Sequence, residues 1–177
     1  MSRIPQAELT HLGFYVRDVD VMTDFYTRFM GMIITDRGEG AGRAWVFLSR
    51  NPTEHHQIVL ASGRPDASFQ QINQISFRVP DLETLRQWNA LAVAADLPAR
   101  EAVTHGNAWS LYFHDPEGNR IELYASSPWY VSQPMRIAVD LGEEVEALIA
   151  HTDALTREDP SRRPHDQWVE EMRARLV

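Results

Sequence analysis

The chain carries two successive stretches in which hydrophobic and polar positions follow the same order, and each predicts a β-α-β-β-β unit. In the first stretch, apolar and polar residues alternate from Leu9 to Val16, which predicts a strand. Apolar residues at helical spacing from Val21 to Met30 predict a helix that Gly31 ends. The three remaining strands are predicted over residues 32–35, 44–49 and 56–62. The glycine-rich segment 38–42 predicts a turn between the first two of them.

The same order returns after a linker at residues 63–70. Alternation over residues 72–79 predicts a strand, and Asp81 is suited to cap the helix that follows it. A strand near residues 99–103 and a hairpin over residues 105–124 complete the second stretch. The hairpin turn, Asp-Pro-Glu-Gly-Asn, combines a proline that presets φ with residues that tolerate positive φ.

One offset of 63 positions superimposes the first and last strands of the two stretches. Residues 11–16 fall on residues 74–79, and residues 58–60 fall on residues 121–123. An internal repeat of this kind predicts an α+β fold of two tandem βαβββ modules that form a curved sheet around a cleft. The modules span about residues 8–62 and 71–125 of a domain at 1–126. Residues 127–177 are predicted to form a proline-flanked strap and a C-terminal helical extension, which could serve as a lid, a dimer clasp or surface packing.

Strand alternation also predicts which polar side chains face the cleft. The apolar residues of the first strand pack on a helix, so His11 faces the cleft, and by the repeat Gln74 faces it too. The neighbours of Glu122 in the last strand are apolar and pack outward, so this carboxylate also faces the cleft. Its counterpart in the first module is Val59. A carboxylate in such a place needs a partner, because an unpaired buried charge is very costly.

Composition narrows the function classes. The chain of 177 residues is 44% hydrophobic and has no cysteine, so thiolate catalysis, thiolate metal sites and disulfides are excluded. A net charge of -8 argues against a nucleic-acid partner, which needs a concentrated basic face. No apolar run approaches the roughly 18 residues of a membrane span, and the first residues lack the apolar core of a secretion signal. We therefore expect a cytoplasmic protein with neither a membrane nor a nucleic-acid partner.

Three segments of the chain resemble the vicinal-oxygen-chelate superfamily, which includes glyoxalases, fosfomycin and bleomycin resistance proteins, and type I extradiol dioxygenases. These are residues 9–16 (Leu-Thr-His-Leu-Gly-Phe-Tyr-Val), residues 25–26 with 30–32, and residues 115–124 (Asp-Pro-Glu-Gly-Asn-Arg-Ile-Glu-Leu-Tyr). The resemblance covers about residues 8–125. It implies the paired-module fold and a small-molecule site, whereas the reaction differs among members of the superfamily.

Within the superfamily, the chain is most similar to the catalytic half of extradiol dioxygenases. Residues 54–60, 104–107 and 110–113 resemble three motifs of that half. The resemblance implies that His56 is an acid–base near the substrate, that His105 is a supporting proton donor, and that Tyr112 contacts a substrate oxygen. Strict alternation from Val59 would instead turn His55 toward the cleft, unless a bulge restores the family register.

The resemblance also implies a metal site. Extradiol enzymes hold Fe(II) or Mn(II) with two histidines and a glutamate, which leaves positions open for a diol and O₂. The corresponding residues here are His11, Gln74 and Glu122, so glutamine stands where the second histidine is expected. An amide oxygen can bind a divalent ion, and it can equally hold a water or a substrate group with no metal present. Val59 cannot supply the fourth ligand expected of a glyoxalase.

The first hypothesis is therefore an extradiol dioxygenase-like enzyme whose substrates are a small aromatic and O₂. Its expected metal is Fe(II), with Mn(II) as the second choice. A second is another metal-dependent enzyme of the superfamily, an isomerase, a lyase or a resistance protein, and a third is a metal-free binding protein. The resemblance also implies a homodimer. The structural alternatives are a core histidine at position 11, hairpin packing for Tyr112, a turn role for His105 and an ion pair of Glu122 with Arg78 or Arg120.

Overall fold

The computed structural model describes residues 7–66 and 72–176, in which the α+β fold with two βαβββ modules is confirmed. The described chain forms two compact units. Of the described residues, the N-terminal unit takes in 7–66 with 116–118, and the C-terminal unit takes in 72–115 with 119–176. Residues 67–70 of the predicted linker and the first six residues lie outside the described residues. The domain limits predicted from the sequence stay a prediction.

The N-terminal unit contains a four-stranded sheet in the order β1-β4-β3-β2. Strand β1 runs parallel to β4, and the other neighbours are antiparallel. Asp18 caps the helix that follows β1, since its side chain accepts hydrogen bonds from two backbone N–H groups of the first turn. The elements are β1 (Leu12–Val16), α1 (Val19–Asp24), a π-helical turn (Phe25–Phe29), β2 (Ile33–Gly40), β3 (Arg43–Ser49) and β4 (Ile58–Ser62).

The C-terminal unit repeats this topology and adds the tail. Its five-stranded sheet has the order β10-β6-β7-β8-β5, with β5 parallel to β8. The module comprises β5 (Ile75–Arg78), α2 (Leu82–Ala94), β6 (Glu101–Thr104), β7 (Ala108–His114) and β8 (Arg120–Ser126). The tail comprises β9 (Trp129–Tyr130), β10 (Ile137–Ala138), α3 (Val145–Thr156), β11 (Arg163–Pro164) and α4 (His165–Arg175).

The offset of 63 holds at the level of strand register. In the N-terminal unit Gly13 lies opposite Val59, and in the C-terminal unit Ser76 lies opposite Glu122. The two modules therefore place the same pair of positions side by side on their parallel strands. In the first module these two positions are occupied by the nonpolar residues Gly13 and Val59. In the second they are occupied by Ser76 and Glu122, which form hydrogen bonds.

Three departures of the local structure from the sequence patterns concern the first strand, the glycine-rich segment and the first helix. Strand β1 begins at Leu12 and not at Leu9, because its partner β4 begins only at Ile58. The predicted glycine-rich turn is mostly strand, since Ala41 and Gly42, both at positive φ, suffice to reverse the chain between β2 and β3. The predicted continuous helix passes into a π-helical turn after Asp24.

The tail is part of the core of the C-terminal unit. Trp109 is 2% exposed, and its indole Nε1 donates to the Thr152 hydroxyl of α3 over 2.8 Å. Leu148 of the same helix is also buried. Residues 129–130 pair with residues 163–164, so the predicted strap is tied to the start of α4. Within the described residues, no helix has the length and apolar character that crossing a bilayer requires.

Candidate functional site

A row of polar side chains crosses the sheet of the C-terminal unit. Ser76, Glu122, Tyr112 and Glu101 are successive cross-strand partners on β5, β8, β7 and β6. Residues directly opposite each other in neighbouring strands point to the same side of a sheet. The residues between them in β7 and β8 are buried and apolar, and α2 packs on these two strands. The row therefore lies on the face opposite the helix.

Glu122 is the centre of this row, and three neutral groups satisfy its carboxylate. The residue is 7% exposed. Its Oε1 accepts a hydrogen bond from the Tyr112 hydroxyl at 2.6 Å, and its Oε2 accepts one from Gln74 Nε2 at 2.7 Å. The Ser76 hydroxyl also donates to Oε2. A buried carboxylate without such donors would be strongly destabilising, so these contacts explain how Glu122 is accommodated in an apolar hairpin.

Gln74 and Ser76 act as one hydrogen-bonding group. The Gln74 amide nitrogen has two hydrogens, and it donates one toward Glu122 and the other to the Ser76 hydroxyl at 3.1 Å. Ser76 accepts from the amide and passes its own hydrogen to the carboxylate. The alternative in which Glu122 pairs with an arginine is wrong, since none of its hydrogen bonds in the described chain comes from Arg78 or Arg120.

A second chain of hydrogen bonds leads from Glu122 to His105. The His105 Nε2 lies 3.0 Å from the Tyr112 hydroxyl, and its Nδ1 lies 2.6 Å from the backbone carbonyl oxygen of Met135. A carbonyl can only accept, so Nδ1 carries a hydrogen. If Tyr112 gives its hydrogen to Glu122, then Nε2 must carry one as well. All of these hydrogen bonds form at once only when both nitrogens of His105 carry a hydrogen; with a neutral ring, the one hydrogen of Tyr112 goes either to His105 Nε2 or to Glu122.

Burial, the hydrogen bond to Glu122 and the negative charge of that carboxylate together raise the pKa of Tyr112 to about 12. The phenol therefore keeps its proton at neutral pH and acts as a donor to the carboxylate. The side chain is 4% exposed, so solvent does not relieve this effect.

We predict that the free energy of unfolding falls as the pH rises from about 10 to about 12. In this window the unfolded chain loses the Tyr112 proton while the folded chain keeps it. Rising pH therefore stabilises the unfolded state relative to the folded state. The loss is at most about 3 kcal/mol, from two units of pKa. All 17 basic residues are arginines, so no lysine titrates in this window. Urea unfolding of chelator-treated protein at stepped pH values measures it, with Tyr112→Phe as the comparison. Identical pH slopes for both proteins would contradict the prediction.

The N-terminal unit carries a second cluster, made of histidines. The His11 and His56 rings meet edge to face with their centroids 4.4 Å apart, and Phe47 packs against His56 at 5.3 Å. His11 directly precedes β1, and His55 and His56 lie three and two positions before the start of β4. The two strands are paired, which brings these preceding residues together. Strand alternation does not apply to residues 55 and 56, because both lie in the loop.

The hydrogen bonds of this cluster orient the His56 ring. Asp36 Oδ2 lies 3.0 Å from His55 Nε2, and His55 Nδ1 lies 2.8 Å from His56 Nδ1. Because a carboxylate accepts, a neutral His55 ring carries its hydrogen on Nε2 and accepts on Nδ1 from His56. His56 Nε2 then has a lone pair, and it has no hydrogen-bond partner among the described residues. Burial lowers the pKa of His56, and the charges of His11 and His55 lower it further.

The comparisons with known proteins identify the family of this fold. A family model described as the glyoxalase/bleomycin resistance protein/dioxygenase superfamily matches residues 8–123. The chain belongs to this superfamily. The match spans both βαβββ modules and includes all six residues that the sequence resemblance assigned to a site. No curated protein sequence matches the chain.

Several solved structures of the superfamily share the fold at low identity. A glyoxylase/bleomycin resistance protein/dioxygenase domain from Frankia sp. EAN1pec is 20% identical with a TM-score of 0.61, over 70% of this chain and 94% of that one. Lactoylglutathione lyase from Agrobacterium tumefaciens is also 20% identical, with a TM-score of 0.52 over 69% and 96%. The fosfomycin resistance protein FosX from Listeria monocytogenes, complexed with Mn(II) and sulfate, is 17% identical with a TM-score of 0.54, over 70% and 95%. At these identities the likeness extends to the fold alone.

The donor set of the C-terminal unit fits a divalent cation. The oxygen and nitrogen ends of an amide are nearly the same size, so a half-turn of the Gln74 amide would bring its oxygen beside Glu122 Oε2. Two adjacent hard oxygens, one of them anionic, are what Mg²⁺, Mn²⁺ or Fe²⁺ prefers. Among the described residues, no three histidine, aspartate or glutamate side chains are grouped to bind a metal. The set predicted from the sequence contains only two such residues and a glutamine, so it stays a prediction.

The structure thus brings the six predicted site residues into two groups. Gln74, Tyr112, Glu122 and His105 form one hydrogen-bonded network in the C-terminal unit. His11 and His56 are in contact in the N-terminal unit. Sequence reasoning missed Ser76, which the register of β5 with β8 places directly opposite Glu122. A serine in an alternating strand carries no special signal, but its pairing with a buried carboxylate could have identified it.

Proposed function

We propose that this chain is a metal-dependent enzyme that opens the ring of a catecholic or related aromatic substrate with O₂. The observation that supports this most is the unbroken chain of hydrogen bonds from Gln74 through Glu122 and Tyr112 to His105. The same three positions, Glu122, Tyr112 and His105, are those that the resemblance to extradiol dioxygenases selects.

In this proposal Glu122 and Gln74 hold the cation together with His11, whose part in the set rests on the family pattern. Bound there, a divalent cation supplies Lewis-acid chemistry and lowers the pKa of two vicinal substrate oxygens. Glu122 contributes the one negative charge of the set. Ser76 keeps the carboxylate in place with its hydroxyl hydrogen bond, and Tyr112 fixes the other oxygen.

Two histidines have proton roles in this proposal. His56 accepts a proton from the diol at Nε2, since its lowered pKa keeps the ring neutral at pH 7 and Asp36 with His55 orients the lone pair. His105 passes a proton to an anionic oxygen through Tyr112, whose hydroxyl lies within hydrogen-bond distance of its Nε2. The Tyr112 hydroxyl has one hydrogen, which it donates to Glu122 without substrate and to this oxygen when substrate is bound.

The reaction is tested by anaerobic loading with Fe(II), addition of a panel of catechols and then exposure to air. We expect O₂ uptake in equal amount to a yellow ring-cleavage product. Tyr112→Phe should lower kcat about 10²-fold to 10³-fold, because it removes one hydrogen-bond donor to a developing anionic oxygen. The surface variant Tyr15→Phe, in the other unit, should keep the full rate. Absence of O₂ uptake across the panel, with iron bound, would exclude the proposed reaction.

One observation favours a second candidate, a metal-free small-molecule binding protein. The Gln74 amide donates its N–H groups to Glu122 and Ser76, so the carboxylate is satisfied with no cation present. In that case chelator-treated protein should bind catechols with the same Kd as untreated protein. A metal-dependent lyase or isomerase of the superfamily would instead need the metal and turn over without O₂.

A further inference from the structure

Two arginines cover the ring of Tyr112, the residue that donates to Glu122. The guanidinium carbon of Arg120 lies 3.9 Å from the ring centroid, and that of Arg136 lies 5.2 Å from it. Both side chains belong to the C-terminal unit and are partly exposed, at 29% and 39%. Each can therefore contact the tyrosine and a solute from outside.

The hydrogen bonds of the two guanidinium groups differ. Arg136 binds both carboxylate oxygens of Glu101, which is the cross-strand neighbour of Tyr112. Arg120 donates no hydrogen bond to any described residue, and its nearest carboxylate oxygen, on Glu101, is 3.9 Å away. A guanidinium has five N–H donors in a planar fork. The N–H donors of the Arg120 guanidinium, which lies against the Tyr112 ring, are therefore largely unused.

Among the described carboxylates near Tyr112, only that of Glu101 lies within reach of the two arginines. Two arginines face the single carboxylate of Glu101, while the other nearby carboxylate, Glu122, is already held by three neutral donors. Packing on an aromatic face explains part of the position of Arg120, since cation–π contacts are favourable. Such packing uses the face of the guanidinium and leaves its edge, where the N–H donors lie, for a ligand.

Arg120 also stands at a defined distance from the proposed reaction centre. It precedes Glu122 by two positions on β8, so both side chains lie on the same face and about 7 Å apart along the strand. This spacing matches an aromatic ring that has its reacting oxygens at one edge and a carboxylate at the other. A planar carboxylate accepts two parallel hydrogen bonds from an arginine fork.

We propose that Arg120, with Arg136 beside it, binds the carboxylate of the substrate and selects aromatic acids over neutral aromatics. This inference deepens the proposed function, because it takes the face of Glu122 as the substrate face. The preferred substrate is then a dihydroxybenzoate-like monoanion and not catechol itself.

The test uses probes that do not react, so that it does not depend on ring cleavage. Benzoate and its neutral analogue benzamide are titrated into protein labelled with ¹⁵N-arginine, and the side-chain Nε–H signals are followed by NMR. We expect a saturable shift of the Arg120 signal, assigned with Arg120→Gln, for benzoate and none for benzamide. Arg120→Gln should weaken benzoate binding about tenfold, as expected for the loss of a charge-assisted pair.

Arg100→Gln is the matched control, because Arg100 lies next to the start of β6 in the same unit, is 30% exposed and pairs with Asp96. It should leave benzoate binding unchanged. The inference is overturned if benzoate gives no saturable shift, if benzamide binds equally well, or if Arg120→Gln and Arg100→Gln behave alike. Benzoate binding at Arg120 without O₂ uptake would leave the subsite standing and reject ring cleavage. Ring cleavage at equal rates for catechol and dihydroxybenzoate would support ring cleavage and reject the carboxylate subsite at Arg120.

Discussion

Replacing Glu122 by glutamine should lower the affinity for Mn(II) by about hundredfold or more. The carboxylate supplies the only negative charge of the proposed ligand set, and loss even of groups that merely support a ligand costs 10–100-fold in other metal sites. The amide that replaces it would also bring hydrogens toward Gln74 and Ser76, which both donate to this position. Titration with Mn(II), followed by the electron paramagnetic resonance signal of the free ion, measures the affinity.

Glu146→Gln serves as the control, because Glu146 is an exposed carboxylate in the first turn of α3. It should bind Mn(II) as tightly as the unchanged protein. The same titration of His11→Ala examines the ligand that the family pattern adds from the N-terminal unit, and we expect a loss of similar size. Full Mn(II) affinity in Glu122→Gln would move the metal site elsewhere or favour the metal-free candidate.

Replacing Glu117 by alanine should lower the free energy of unfolding by about 3–5 kcal/mol. Its side chain is 6% exposed and faces Arg64, itself 8% exposed, at 3.3 Å. The Glu117 Oε1 also accepts hydrogen bonds from the backbone N–H groups of Arg17 and Asp18, at 2.5 and 2.9 Å. The alanine would remove the buried carboxylate that accepts hydrogen bonds from two backbone N–H groups and pairs with the buried Arg64 guanidinium. Those donors would then lose this acceptor. Urea unfolding at pH 7 gives the free energy.

Two further variants show whether charge or shape accounts for this loss. Glu39→Ala, on an exposed strand position, should change the free energy of unfolding by no more than about 0.5 kcal/mol. Glu117→Gln keeps the shape and can still accept hydrogen bonds through its amide oxygen, so it should fall between the two. A loss below about 1 kcal/mol for Glu117→Ala would mean that water replaces the carboxylate at little cost.

The internal repeat allowed much of the fold to be predicted from the sequence. The offset of 63 identified both modules, and the same offset relates the registers of β1 with β4 and of β5 with β8. Strand ends were harder to predict, because alternation continues past the point where backbone pairing stops. Leu9 fits the alternating pattern and is nevertheless 91% exposed.

The candidate site was predictable in part. Orientation of Gln74 and Glu122 toward one face followed from alternation, whereas the partner of Glu122 did not. The sequence suggested Arg78 or Arg120 as that partner, but the Arg120 guanidinium packs on the Tyr112 ring. Side-chain torsions decide such choices, and they depend on neighbours in other strands. The π-helical turn has a similar cause, since single-residue hydrogen-bond shifts leave no mark on hydrophobic periodicity.

Strand β2 has a consequence for the behaviour of the protein at high concentration. It is at the edge of its sheet, and all eight of its residues are exposed. A long exposed edge can add a strand from another molecule and so begin aggregation. Asp36, Arg37 and Glu39 interrupt this edge with charge. Asp36 therefore has two roles, since the carboxylate that orients His55 also opposes pairing of this edge strand with another molecule.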